Sequence, residues 1–238
     1  MTTTPDSASR KFDAARAGDY AVQSRIALAG YDACHEVAAC LLAASLGSGG
    51  SADILVAGAG GTAREIVTAG QLEPGWRFTA VDPSEPMMEL AMAAVADAGL
   101  GARTTALLGR VEDLPAARRF DAATLIGVLH HLPGQEAKRA ILADIAARLK
   151  PGAPLILAGN RHAYAERPLF LAAWGERWRM HGASRVEIDA RLGKILQGAD
   201  PPASDEAVAS LLVEAGFEQP ELFFSSLFWG GWITRARR

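Results

Sequence analysis

The sequence predicts an α/β protein: a doubly wound, seven-stranded, mostly parallel sheet with an antiparallel last strand, an N-terminal helical cap and a helical insertion after the fifth strand. Three observations carry that prediction. Residues 54–57 are four successive apolar residues without alternation, which suits a strand covered on both faces. Strand-like runs at 78–81, 104–108, 121–126 and 154–158 then alternate with helix-like segments, the pattern of βα units building a parallel sheet. Two closing runs, 221–225 and 228–234, read as an antiparallel pair that completes the sheet.

At 238 residues the chain is long enough for one α/β domain with a good core and too short for two of ordinary size. Half of it is hydrophobic and 21% is charged, the balance of a globular protein. A formal charge of −3 and a pI near 6.0 supply no general attraction to nucleic acid or to an anionic membrane. Arg235, Arg237 and Arg238 read as a solvated tail. Cys34 and Cys40 fall six apart on one predicted helix, on different faces, so neither a disulfide nor a metal pair is expected. The first residues hold no apolar stretch of signal length and no later run is long and apolar enough to span a bilayer. A soluble, cytoplasmic protein is the expectation, with no direct nucleic-acid or membrane partner and no metal.

Taken in order, residues 1–9 are rich in Thr, Ser, Pro and Asp and are expected to be disordered. Residues 10–50 form the helical cap, in which Gly30 breaks the pattern and sets Tyr31 at a helix start. The GSGGS linker at 47–51 is a flexible join that would let the cap close over a ligand. The cofactor-binding core spans 51–160, with helices at 62–69, 85–98 and 135–149 between its strands; Met87, Met88 and Met92 read as packing. An insertion rich in Arg and Trp covers 161–203, and 204–238 supplies a last helix, C-capped by Gly216, before the strand pair. The aromatics Phe223, Phe224, Phe228, Trp229 and Trp232 belong in the core or in a subunit contact, which leaves a homodimer open.

The chemistry gathers after the first strand. Gly58, Gly60 and Gly61 allow a tight turn with no Cβ in the way of a ligand, and deliver that ligand to a helix N-terminus near Thr62. The second strand ends in Asp82, roughly twenty residues on, where a nucleotide-binding βαβ unit places the carboxylate that holds a ribose. Together the two features favour an adenosine-containing cofactor. Ligands of such sheets bind outside the C-terminal strand ends, which sets Gly58, Asp82, Arg110, Gly127 and Asn160 along one rim.

The order ILVAGAG, FTAVDPS, LLGRVEDLP, FDAATLIGVLHHLP and LKPGAPLILAG, across residues 52–159, resembles the motif series of class I, Rossmann-like S-adenosylmethionine-dependent methyltransferases. The resemblance implies S-adenosyl-L-methionine as cofactor, held by Gly58, Ala59, Gly60, Asp82, Pro83, Arg110, Val111 and Gly127. It also implies in-line methyl transfer to a small or medium organic molecule. A sulfonium is already a reactive donor, so alignment and exclusion of water matter most, with a base only where the nucleophile holds its proton. His130 and His131 follow the fourth strand and are the catalytic candidates, since histidine takes up protons near neutral pH. Tyr164, Trp174 and Trp178 suggest an aromatic acceptor pocket, and Arg161, Arg167, Arg177 or Arg179 a contact for an acidic group; helical spacing equally permits the two tryptophans to be packing residues.

Three positions depart from that family's pattern. Val56 stands where an acid is usual, Thr62 where the motif's last glycine is usual, and Arg110 where an acid near the adenine is usual, so Glu112 or Asp113 would have to stand in. Further segments, GYD at 30–32, WRMHGASRVEI, VASLLVEAGFEQPELFF and SSLFWGGWIT, are similar to carboxy-S-adenosylmethionine synthases. That likeness implies a cofactor contact for Tyr31, whose other reading is a buried anchor, and makes Arg191 the candidate grip for the carboxylate of carboxy-S-adenosyl-L-methionine, with an alternative alignment that places Leu192 there. Gly127 and LHHLP disagree with that subgroup, so ordinary methyl transfer is the first reading and carboxymethyl-donor formation the second. A non-catalytic, methyltransferase-like binding protein is the third, motivated by Val56 and Thr62.

Overall fold

Seven strands make one sheet: β1 (Ala52–Ala57), β2 (Trp76–Asp82), β3 (Thr104–Leu108), β4 (Ala122–Ile126), β5 (Pro154–Asn160), β6 (Glu221–Ser226) and β7 (Trp229–Arg235). The computed structural model describes residues 20–238, so the expectations for residues 1–9 and for the first part of the cap lie outside the described residues. The strand order is β3-β2-β1-β4-β5-β7-β6. Pairs among β1 to β5 are parallel, and β7 runs antiparallel to both β5 and β6. The predicted fold class is thus the observed one.

Apolar residues on successive positions of β1 and β5 face two different cores, because strand side chains alternate between faces. Ile54, Val56, Ile156 and Ala158 pack on one side with residues of α2 (Tyr31–Leu46), α3 (Arg64–Leu72) and α4 (Glu85–Asp97). Leu55, Ala57, Leu155 and Leu157 pack on the other with α5 (Gly134–Arg148) and α8 (Asp205–Glu214). Each fully buried Leu or Ile of this kind contributes about 1.5–3 kcal/mol, which explains why these strands read as unbroken apolar runs.

A third core lies outside the sheet. Ile26 of α1 (Tyr20–Ala27) meets Tyr164, Phe228, and Trp174 and Trp178 of α6 (Pro168–Met180), with Ile188 of α7 (Arg185–Gly198). The last carbonyls of a short helix lack intrahelical partners, and the insertion supplies them. Trp174 Nε1 donates to the Ala27 carbonyl at 2.7 Å, and Arg177 donates to those of Ile26 at 2.8 Å and Arg25 at 3.0 Å. Insertion and cap are therefore joined to each other. The glycine linker is also tethered: the Gly49 N–H donates to Glu73 at 2.8 Å.

Candidate cofactor and acceptor site

Where the strand order reverses, β1 and β4 lie side by side, and the crevice beyond their ends is the expected ligand position. Gly58 follows β1 at φ +69°, and a Cβ there would come within 2.1 Å of Val128 beyond β4. The glycine elbow is fastened to the end of β2. The N–H groups of Gly58 and Ala59 donate to the Val81 carbonyl, at 2.8 and 3.2 Å, and that of Gly61 donates to the Met87 carbonyl at 2.8 Å. Gly60 donates to Asp82 Oδ2 at 3.0 Å, while the Ser84 N–H donates to Asp82 Oδ1 at 2.8 Å. The Asp82 carbonyl accepts from Gly109 after β3 at 2.9 Å, so one residue ties three strand ends together. Burial raises the Asp82 carboxyl above its ordinary range, opposed by the two N–H donors. A carboxylate has about four acceptor sites, and two backbone donors leave room for a diol. Ala59 is buried at the centre of the elbow, and Pro83 is exposed beside Asp82.

The cap roofs this elbow with groups that sequence reasoning passed over. The Tyr31 hydroxyl lies 2.5 Å from Thr62 Oγ1, so the residue in the usual glycine's place holds the cap. Tyr20 covers Gly61, where a Cβ would fall 2.3 Å from its ring. Glu65, on the first turn of α3, has a side chain only 10% exposed and lies 3.8 Å from His35 Nε2. Burial pushes the Glu65 carboxyl up to about 7, with Asp82 adding to the rise. Burial likewise pushes His35 down to about 4 and the Tyr31 phenol up to about 12. No motif marks Glu65, because its placement depends on how α2 crosses α3. Met87, expected as packing, also touches the elbow, its Cβ 2.6 Å from where a Gly60 Cβ would stand.

At the other strand ends, Gly127 turns at φ +79° beneath Trp229. His130 is buried, its ring 5.5 Å from Trp229 and 4.2 Å from that of His131. The Asn160 N–H donates to His130 Nδ1 at 3.3 Å, and Asn160 Nδ2 donates to the Tyr164 hydroxyl at 2.8 Å. Burial raises the Tyr164 phenol. His130, Asn160, Tyr164 and Trp229 thus form one group. Val111 is buried after β3 and Arg110 is exposed. Asp113 cannot simply replace a base-facing acid, since it accepts the Arg110 N–H at 2.7 Å to close the turn.

Several expected acceptor contacts are placed elsewhere. The Arg161 guanidinium is buried against Asp205 at 2.5 Å and Ser225 at 2.6 Å, and lies 5.6 Å from the Trp232 ring, so it is committed to structure rather than to a ligand's acidic group. Trp174 and Trp178 are 2% and 4% exposed, inside the core that joins insertion to cap, rather than lining a cleft. Arg191 donates to Gln23 of the cap, which leaves it no role as a carboxylate grip in this arrangement.

Residues 54–152 match the family model described as "Methyltransferase domain". The matched segment is 99 of the 238 residues. It holds the elbow, Asp82 and both histidines. Solved structures of similar fold include a possible exported protein from Bordetella parapertussis, at 15% identity and TM-score 0.64, covering 86% of this chain and 67% of that one. An O-methyltransferase family 2 protein from Planctomyces limnophilus, in complex with apigenin, matches at 15% identity and TM-score 0.60, covering 78% and 50%. Human N-acetylserotonin methyltransferase, in complex with S-adenosylmethionine, matches at 15% and TM-score 0.55, covering 78% and 48%. The chain spans about half to two thirds of the length of these structures. Among curated proteins none matches significantly. These likenesses show the class I methyltransferase fold, and they do not support the carboxy-S-adenosylmethionine synthase subgroup. Within the matched segment, Val56 is 1% exposed and packs with Ile54, so the position where an acid is usual is apolar core.

Proposed function

We propose that the chain is an S-adenosyl-L-methionine-dependent methyltransferase that transfers a methyl group in line to a small or medium organic molecule. The observation that carries this reading is the Gly60–Asp82 hydrogen bond, which sets a Cβ-free elbow beside a carboxylate at adjoining strand ends. A Cβ on Gly60 would stand 2.6 Å from Asp82 Oδ2, so only glycine lets the turn close onto that carboxylate. In this reading Asp82 holds the ribose diol, Val111 and the Arg110 backbone border the base, and the elbow takes the amino-acid half. The cofactor supplies an electrophilic methyl group, so the chain's contribution is alignment and a dry site.

His130 and His131 take different parts. A backbone N–H donates to His130 Nδ1, so neutral His130 carries its proton on Nε2 and acts by positioning Asn160 and Trp229. His131, less buried, is the residue assigned to receive a proton from the acceptor's hydroxyl. Tyr164 and Trp229 border the acceptor, and residues 161–203 cover it by way of the cap. The O-methyltransferase neighbours favour an oxygen nucleophile.

Calorimetric titration with S-adenosyl-L-methionine, followed by release of S-adenosylhomocysteine over a panel of small phenols and carboxylic acids, tests the reading. Saturable binding with product release is expected. Absence of binding at millimolar ligand overturns it.

A further inference from the structure

We infer that Glu65 is the acceptor for the cofactor's ammonium group, replacing the acid that this chain lacks at Val56. The inference rests on the cofactor reading above and adds a residue that no motif assigns.

A carboxylate taken out of water costs several kcal/mol unless it is paired and hydrogen-bonded. The Glu65 side chain is nine-tenths buried, its one hydrogen bond comes from its own backbone N–H, and among the described residues its only ion-pair neighbour is His35, at 3.8 Å. That neighbour is a poor partner. His35 Nδ1 faces the Tyr31 carbonyl at 2.8 Å, and a carbonyl only accepts, so Nδ1 carries the proton. The neutral ring then turns a lone pair, on Nε2, toward the carboxyl group. The nearby arginine is engaged elsewhere: Arg64 pairs with Asp32 at 3.1 Å.

The other surroundings of Glu65 are those a small organic cation would meet. Tyr20 and Tyr31 stand over the elbow, and the charge of Glu65 acts on both phenols and on the buried Cys34 thiol. The Asp82 charge in turn raises the Glu65 carboxyl. Glu65 stands on the first turn of α3, directly after the elbow, so a nucleotide with its ribose on Asp82 and its amino-acid half on the elbow would bring its ammonium group to this carboxylate. An ammonium group there pairs with the carboxylate, and tyrosine faces supply further attraction for a cation. Val56 cannot do this, being an apolar core residue.

The experiment compares S-adenosylhomocysteine with its deamino analogue, which keeps the nucleoside and carboxylate and lacks only the amine. Wild-type protein should prefer the amine-bearing ligand by about tenfold to a hundredfold, the worth of one charge-assisted hydrogen bond. In Glu65→Gln that preference should fall to about threefold or less, with affinity for the deamino ligand unchanged. A variant that keeps the wild-type preference overturns the inference, as does equal loss of both ligands. If Glu65→Gln does not fold, Glu65→Met, of similar shape and uncharged, and the wild-type comparison decide: equal wild-type affinities overturn the assignment, and a preference that Glu65→Met leaves intact overturns it too. A wild-type protein that binds neither ligand overturns the cofactor reading itself, an outcome distinct from the others.

Discussion

Gly60 donates its backbone N–H to Asp82 Oδ2 across 3.0 Å, and the same carboxylate accepts from Ser84 on its other oxygen. The elbow and the end of β2 are therefore one mechanical unit, in which the group assigned to the ribose also fixes the shape of the turn. Loss of either residue disturbs both jobs.

Asp82→Ala is expected to lower affinity for S-adenosyl-L-methionine by about a hundredfold or more, since it removes a charged acceptor and leaves two backbone donors without one. Gly60→Ala should do the same without touching charge, because its Cβ would meet Asp82 Oδ2 and Met87 Cβ at 2.6 Å each. Calorimetry on the two variants checks the expectation; unchanged affinity in both would remove the elbow from the site.

Stability against pH should report the His35 and Glu65 pair. Folding lowers His35 from 6.5 to about 4, so its contribution is present above 6.5 and lost as pH falls toward 4. Folding raises Glu65 from 4.5 to about 7, so the folded state holds a proton the unfolded chain releases, and stability falls as pH rises from 4.5 to 7. The two slopes oppose each other between 4.5 and 6.5, each at most about 1.4 kcal/mol per pH unit. Wild-type stability should be nearly flat there from this pair. His35→Gln should become less stable as pH rises through that window, and Glu65→Gln more stable; urea titrations at several pH values decide, and flat profiles in both variants contradict the assignment.

Arg161→Ala should act on the fold rather than on ligand binding. It breaks the contacts to Asp205 and Ser225 and removes the guanidinium beside Trp232. A loss of about 2–3 kcal/mol is expected, or a Tm lower by about 5–10 °C, with cofactor affinity within about twofold of wild type. A thermal melt and a titration on the same sample separate the two effects, and weaker binding with an unchanged Tm would return Arg161 to the ligand site.

The two histidines should separate by readout. His131→Gln is expected to reduce kcat about tenfold to a thousandfold and flatten the acidic limb of the pH–rate profile, with KM little changed. His130→Gln should lower Tm, because the Asn160 N–H loses its ring acceptor, while the pH profile keeps its shape. Identical pH profiles for His131→Gln and wild type would leave proton removal to solvent.

Much of the fold was legible in the residue pattern. Buried parallel strands read as unbroken apolar runs because both faces are covered, so β1 to β5 were found within a few residues of their ends. A run of glycines directly after a strand and an acid at the end of the next one are local features of the chain, and Gly58, Gly60 and Asp82 announce themselves for that reason. Trp174, Trp178 and Arg161 did not reveal their roles, because an aromatic or a guanidinium at helical spacing serves a core and a pocket equally well. Only the partner decides, and here the partners are Ala27, Phe228, Asp205 and Ser225.

The sequence by itself determined the strand order's raw material, the glycine elbow and the carboxylate beside it, since each depends on residues close together along the chain. The tertiary structure alone decided what roofs that elbow. Tyr20, Tyr31, His35 and Glu65 come from helices on opposite sides of the linker, and their meeting is fixed by how α2 packs across α3 over the apolar face of β1, a long-range contact that no local spacing encodes.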